Sequence, residues 1–237
     1  MNPHAERSTR PHSNPVQWKM IYLARRHPAL AEADFAQAWR EHSALGRQCR
    51  NVQDKVLGVT QCTRITTDPP SGASTDFDGV NLLKLRDLGV AADIWNDPET
   101  LAIMRPDELR VFDRYVRDCA LVAHERVLSD RPFGDAVWVG FMRRRPAMAV
   151  ADFLDGMACH LSPWAPAGRV VLNEVMPERP AGYDFDAIVE WWFKDAQTLS
   201  EASKPTDFRT QLTQSMGHLC DMQASVLMAT HVTHRRP

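Results

Sequence analysis

Residues 21–42 read IYLARRHPALAEADFAQAWREH, and residues 139–160 read VGFMRRRPAMAVADFLDGMACH. The second stretch lies 118 residues beyond the first, and nine of the 22 aligned positions are identical without a gap. The shared residues are Arg25, Arg26, Pro28, Ala29, Ala31, Ala33, Asp34, Phe35 and His42, each facing its like. Such self-similarity marks an internal repeat, which decides the fold before any single element does. The remainder of each half repeats more weakly but in the same order. Phe77-Asp78-Gly79-Val80 opens an apolar run, and Phe185-Asp186-Ala187-Ile188 opens another. These lie 108 residues apart, so the loop before them is ten residues shorter in the second half. The Pro/Gly/Ser-rich residues 68–75 are the longer version of that loop. Both halves end in a β-rich run, at 119–128 and 224–232.

The pattern within each half predicts β-α-β-β-α-β. Residues 18–25 form an apolar strand with a basic end, followed by a Pro-containing turn. A helix follows, with Asp34 as its expected cap, and Asp152 takes the same role in the second half. Phe35, Trp39 and His42 are spaced i, i+4, i+7 and fall on one helix face, as do Phe153, Met157 and His160. Strands are expected at 56–65 and 77–85, and at 169–175 and 185–193. A helical segment broken at a proline (Pro98 and Pro106; Pro205) precedes each last strand. This is the ferredoxin-like unit, twice. The runs VWVGFM (137–142) and IVEWWF (188–193) are too apolar for a sheet with one wet face, so both faces are buried. The fold expected is therefore α+β, a tandem (βαββαβ)2 in which the two sheets close into a pseudo-dimeric barrel without free edges. The domain reading is an N-terminal disordered arm at 1–17, a first half at 18–131 and a second half at 135–234.

The run KMIYLARRHPALAEADFAQAWREHSAL resembles the opening of EthD-family proteins, named for ethyl tert-butyl ether degradation, within the dimeric α+β barrel superfamily. Arg25, Arg26, Pro28, Phe35, Trp39 and His42 stand in the family's roles. Arg143, Arg144, Pro146, Phe153 and His160 match more weakly in the second half. In the family the His follows the Phe by eight residues; here it follows by seven, and Ser43 and Leu161 stand at the eighth position. The resemblance implies a pocket between sheet and helices in each half, and small hydrophobic, cyclic or aromatic substrates. Related barrels include cofactor-free monooxygenases, lactone isomerases, dehydratases and haem enzymes, so the fold alone selects no chemistry.

Several side chains are candidates for that pocket. His42 and His160 end the inward stripes and suit proton transfer or haem ligation; the plainer reading is a His favoured by the helix C-terminal dipole. Tyr22, Trp39, Trp164, Trp191 and Trp192 could wall an aromatic site, or simply form core. Arg25 and its neighbour Arg26, like Arg143 to Arg145, could hold a substrate carboxylate or phosphate, or be solvated strand ends. His231 and His234 are spaced to opposite strand faces, and His218 and Cys220 lack zinc-type spacing, so no metal is expected. GxSxG, P-loop and GxGxxG motifs are absent.

Bulk properties exclude other classes. A net charge of −2 does not suit a general nucleic-acid binder. No apolar run approaches the length of a membrane span, and residues 1–17 carry no apolar stretch of a secretory signal. Five cysteines, odd in number and without CxxC, fit free thiols in the cytoplasm. The expected function is an oxidoreductase-like enzyme without a cofactor, acting on a small hydrophobic molecule. A haem protein on the same fold and a non-catalytic binding module are the alternatives. Assembly is expected to be a monomer with an internal pseudo-dimer, or a homodimer of it.

Overall fold

The computed structural model describes residues 16–161, 167–204 and 206–236. The first half runs β1 (Gln17–Ala24), α1 (Glu32–Leu45), a short α2 (Arg50–Gln53), β2 (Val56–Arg64), β3 (Gly79–Leu85), α3 (Gly89–Asn96), a π-helical turn at Thr100–Met104, α4 (Arg105–Val111) and β4 (Ala120–Ser129). The second half runs β5 (Ala136–Met142), α5 (Val150–Leu161), β6 (Arg169–Val175), β7 (Ala187–Phe193), α6 (Ala196–Ala202), α7 (Phe208–Met216) and β8 (Val226–Arg236). All eight strands close into one barrel in the order β1-β3-β2-β8-β5-β7-β6-β4, every neighbour antiparallel. Each half thus supplies a four-stranded sheet, and the sheets meet at β2–β8 and β4–β6. No helix among the described residues is long and apolar enough to cross a membrane.

The expectation from apolar content is met at β5 and β7, in which every residue is buried. One face of each sheet looks into the barrel and the other is covered by helices. Alternation along β1 separates the two: Lys19 reaches across the interior to Glu190, while Met20 and Tyr22 lie beneath α1.

One of the shared identities, Arg26 and its counterpart Arg144, proves to be a clamp. The backbone N–H of Arg26 donates to the Asp78 carboxylate at 2.9 Å, and that of Arg144 donates to Asp186 at 2.9 Å. Each guanidinium also pairs with the same carboxylate. The turn after the first strand is thereby fixed to the start of the third in both halves. Two local expectations are corrected. Asp34 does not cap α1: the N-cap is Ala31, and Asp34 sits with Glu32 in the first turn, where a carboxylate favours the dipole. Asp152 likewise lies within the first turn of α5. The break after α3 falls at Asp97, before Pro98, while Pro106 opens α4 at a position where no N–H is needed. Pro205 lies outside the described residues, as does most of the expected N-terminal arm.

The barrel interior holds an ion cluster. Lys19 Nζ is 2.6 Å from Glu190 Oε1 and 2.6 Å from Glu125 Oε2, with all three side chains buried. Asn173 Nδ2 and Trp192 Nε1 also donate to Glu190, at 2.8 and 2.9 Å. Burial alone would lower the lysine pKa, but the two carboxylates hold it above its ordinary value. Burial would likewise raise Glu190, and Lys19 holds it below the usual carboxylate range. Removing one member of such a cluster strands the others without water. Lys19→Met is expected to lower the unfolding free energy by about 3–5 kcal/mol in denaturant titrations; a change under about 1 kcal/mol would show that the cluster does not stabilise the barrel.

Candidate functional site

A cavity of about 100 Å³ lies between the first-half sheet and its helices. Its floor is Met20 and Tyr22 of β1, Asn81 and Leu83 of β3, and Val59 and Gln61 of β2. Trp39 and His42 of α1 cover it, with Trp95, Thr100, Met104 and Glu108 from the α3–α4 segment. Arg236, at the end of β8, also lines it, so the second half contributes to the first half's cavity.

The walls are aromatic and apolar, but the polar groups converge. Tyr22 Oη accepts from Trp39 Nε1 at 3.3 Å and from Asn81 Nδ2 at 2.9 Å. Burial pushes the phenol far above its ordinary pKa, so it keeps its proton. With both donors already aimed at its oxygen, that O–H is left to donate elsewhere. Gln61 donates through Nε2 to the Trp39 carbonyl at 3.2 Å. Among the described residues, two buried amide oxygens of residues lining this cavity have no partner: Gln61 Oε1 and Asn81 Oδ1. Orphaned polar atoms are uncommon in folded interiors, and two beside one cavity are free to meet a polar group.

His42 is almost fully buried, at 4% exposure. Its Nδ1 is 2.9 Å from Asp107 Oδ2, and Asp107 is gripped by Arg110 through Nε at 2.6 Å. Burial works against ionisation of Asp107, but Arg110 and His42 together hold its pKa below the usual value. An ionised carboxylate only accepts, so Nδ1 carries the proton and Nε2 keeps the lone pair. Among the described residues nothing hydrogen-bonds to Nε2. Burial lowers the imidazole pKa from 6.5; Asp107 raises it in part, and Arg110 opposes. The result is a neutral base at neutral pH, oriented by a carboxylate. Glu108 next to Asp107 is also buried; desolvation raises its pKa, and it accepts from the Val116 N–H at 2.9 Å.

The other expected site residues do not join this group. His160 is exposed, bonds through Nδ1 to the Gly156 carbonyl at 2.8 Å and meets the His218 ring edge-on. Leu161 takes the inward position instead, at 1% exposure. Trp191 is core, packed edge-on against Phe208 at 5.1 Å. Arg25 lies at a strand end over the Phe77 ring and donates to the Asp76 carbonyl, away from the cavity. Trp192 faces the barrel interior, and Trp164 lies outside the described residues. Strand register explains why the described residues of the second half do not repeat this cavity. Tyr22 pairs with Asn81 as Gly140 pairs with Val189, and Gln61 corresponds to Leu172. Trp39 becomes Met157, and Leu83 becomes Trp191. A β-carbon on Gly140 would sit 3.0 Å from the Trp191 ring, so the glycine makes room for the indole that fills the space. Every polar group of the first-half floor is thus apolar in the second.

Asp107, Glu108, Asn81 and Gln61 escaped the sequence reading. The latter two carried a signal, as polar residues at core-facing positions of apolar strands. Asp107 carried none, because its contact with His42 depends on how α4 packs over α1. Among the described residues no group of three or more His, Cys, Asp or Glu is placed to hold a metal ion.

No family model matches the chain, and no curated protein sequence is significantly similar to it. Solved structures share its fold. An anthrone oxidase-like protein superposes with a TM-score of 0.58 at 11% identity, over 94% of this chain and 93% of its own. A candidate monooxygenase from Fusobacterium nucleatum gives 0.55 at 11%, over 93% and 94%. A chlorite dismutase variant from Candidatus Nitrospira defluvii gives 0.52 at 10%, over 92% of each chain. The chain therefore has the dimeric α+β barrel fold, with both halves in one polypeptide. The expectation of a protein without a cofactor is corrected by this comparison: the barrel is that of a chlorite dismutase as well as of a candidate monooxygenase, so the scaffold lends it no support. A porphyrin does not fit the cavity beside His42. Its volume of about 100 Å³ is well below the roughly 300–1,000 Å³ of clefts that take larger ligands, and the His42 ring is locked on Asp107.

In NMR titration, the His42 ring is expected to have a midpoint below 6.5, and Asp107→Asn should move it lower, since Asp107 opposes the effect of burial. A midpoint above 6.5 would contradict the buried neutral base.

Proposed function

We propose that the chain is an EthD-like enzyme of oxidoreductase type, acting on a small hydroxylated aromatic or cyclic compound in the first-half cavity. The observation that carries this reading is the convergence on one apolar cavity of a carboxylate-oriented imidazole, a phenol hydroxyl and two amide oxygens without partners among the described residues. Apolar walls hold the ring. Gln61 Oε1 and Asn81 Oδ1 accept from a ligand hydroxyl, and Tyr22 O–H donates to a ligand oxygen. His42 Nε2 removes a hydroxyl or activated C–H proton, and Asp107 stabilises the imidazolium that forms. The deprotonated ring is electron-rich and gives up electrons to a co-reactant, which in a monooxygenase-type reaction is dioxygen. Water exclusion by Trp39, Met104 and Trp95 strengthens each of these electrostatic contacts. The likeness to an anthrone oxidase-like protein and a candidate monooxygenase points the same way.

The test begins with a screen of single-ring hydroxyarenes for oxygen consumption. On a substrate so found, His42→Ala is expected to lower kcat by about 10²–10⁴-fold with little change in KM. His160→Ala should leave both unchanged. Full turnover by His42→Ala would remove the histidine from the mechanism.

A further inference from the structure

The barrel interior contains a second chamber, separate from the cavity beneath α1. It has a volume of about 320 Å³ and opens at one end of the barrel. Lys19 and Glu190 form its floor, Trp192 and Phe133 its wall, and Lys84 and Arg235 its mouth. Phe133 meets Trp192 edge-on at 5.0 Å. Phe133 is 41% exposed and Leu57, also at the mouth, 48%, so an apolar collar faces solvent.

The charges divide into two layers. At the floor, Lys19 and Arg169 offset Glu190 and Glu125, and Glu190 is further satisfied by Asn173 and Trp192. The floor is electrically balanced and asks for nothing. The mouth is not balanced. Lys84, Arg235 and Arg236 line the chamber, and among the described residues the only carboxylate paired with any of them is Asp135, 3.7 Å from Arg235 and itself largely exposed. The cations are held against aromatic faces instead: Lys84 Nζ is 5.8 Å from the Phe133 centroid, and the Arg235 guanidinium is 5.9 Å from Phe133 and 5.7 Å from Trp192. Arg236 Nε is buried without a partner among the described residues. An aromatic wall beneath a surplus of positive charge is complementary to a molecule with an apolar ring and one anionic end.

We propose that this chamber binds small aryl carboxylates, with the ring lying against the Phe133–Trp192 pair and the carboxylate at the mouth between Lys84 and Arg235. The volume suits one or two rings. The site stands apart from the proposed catalytic cavity, with which it shares Val59 and Arg236 as lining residues. It therefore tests independently of the reaction.

The experiment titrates benzoate, 2-naphthoate and benzamide into the full chain, followed by calorimetry and tryptophan fluorescence. At least one carboxylate is expected to bind saturably, and benzamide at least tenfold more weakly than benzoate. The double variant Lys84→Ala/Arg235→Ala, altered only at the mouth, should weaken carboxylate binding tenfold or more, and Phe133→Ala should weaken it independently. His42→Ala should leave it unchanged. Absence of saturable binding by both carboxylates overturns the proposal. So does binding that is lost in His42→Ala but retained in the mouth variant, because the ligand would then occupy the first-half cavity.

Discussion

Strands β5 and β7 are buried along their whole length, so neither face of the sheet they form can be left to water. Helices cover one side of each sheet. The other side has only its counterpart from the second half to pack against, so the sheets must close on one another. Closure brings β1 opposite β7 and sets Lys19 against Glu190, both almost fully buried. An isolated charge there would be expensive, and the cluster with Glu125, Asn173 and Trp192 is the condition under which the barrel can keep it. The ion cluster therefore ties the halves together in a way that apolar contact alone, indifferent to register, would not.

With the barrel fixed, the two halves present the same frame and fill it differently. Arg26–Asp78 and Arg144–Asp186 hold equivalent turns in equivalent places. Above the frame, a few residues decide everything. In the first half, Tyr22, Asn81 and Gln61 place polar atoms on the floor, and the π-helical turn before α4 carries Asp107 to His42. In the second, Gly140 yields to Trp191, while Val189 and Leu172 leave nothing polar to bind. The first half keeps a cavity with orphaned acceptors, and the second converts that volume to core.

The fold was readable because it rests on periodicity and repetition. Nine identities at a constant offset, two near-continuous apolar strands and the order of elements sufficed to specify a closed α+β barrel. Trp39, Tyr22 and His42 were also within reach, since a helix stripe and a strand alternation place them on known faces. What the sequence withheld depends on contacts between elements distant in the chain. His160 shares the spacing of His42, yet Leu161 takes the inward slot and, among the described residues, no carboxylate pairs with the ring. Trp191 has the composition of a pocket wall, and only the register against Gly140 reveals it as filler. Arg25 and Arg26 suggested anion binding, but Arg26 is spent on Asp78 and Arg25 on a backbone carbonyl.

The claim at the centre of this account is that one half alone holds a working cavity, organised around His42 and Tyr22. A crystal structure of the protein soaked with 4-methylcatechol tests it most directly. The account predicts ring density beneath Trp39, a ligand hydroxyl within hydrogen-bond distance of both Tyr22 Oη and His42 Nε2, and undisturbed core around Trp191. Ligand density in the second half, or a first-half cavity that stays closed while the molecule binds elsewhere, would contradict it.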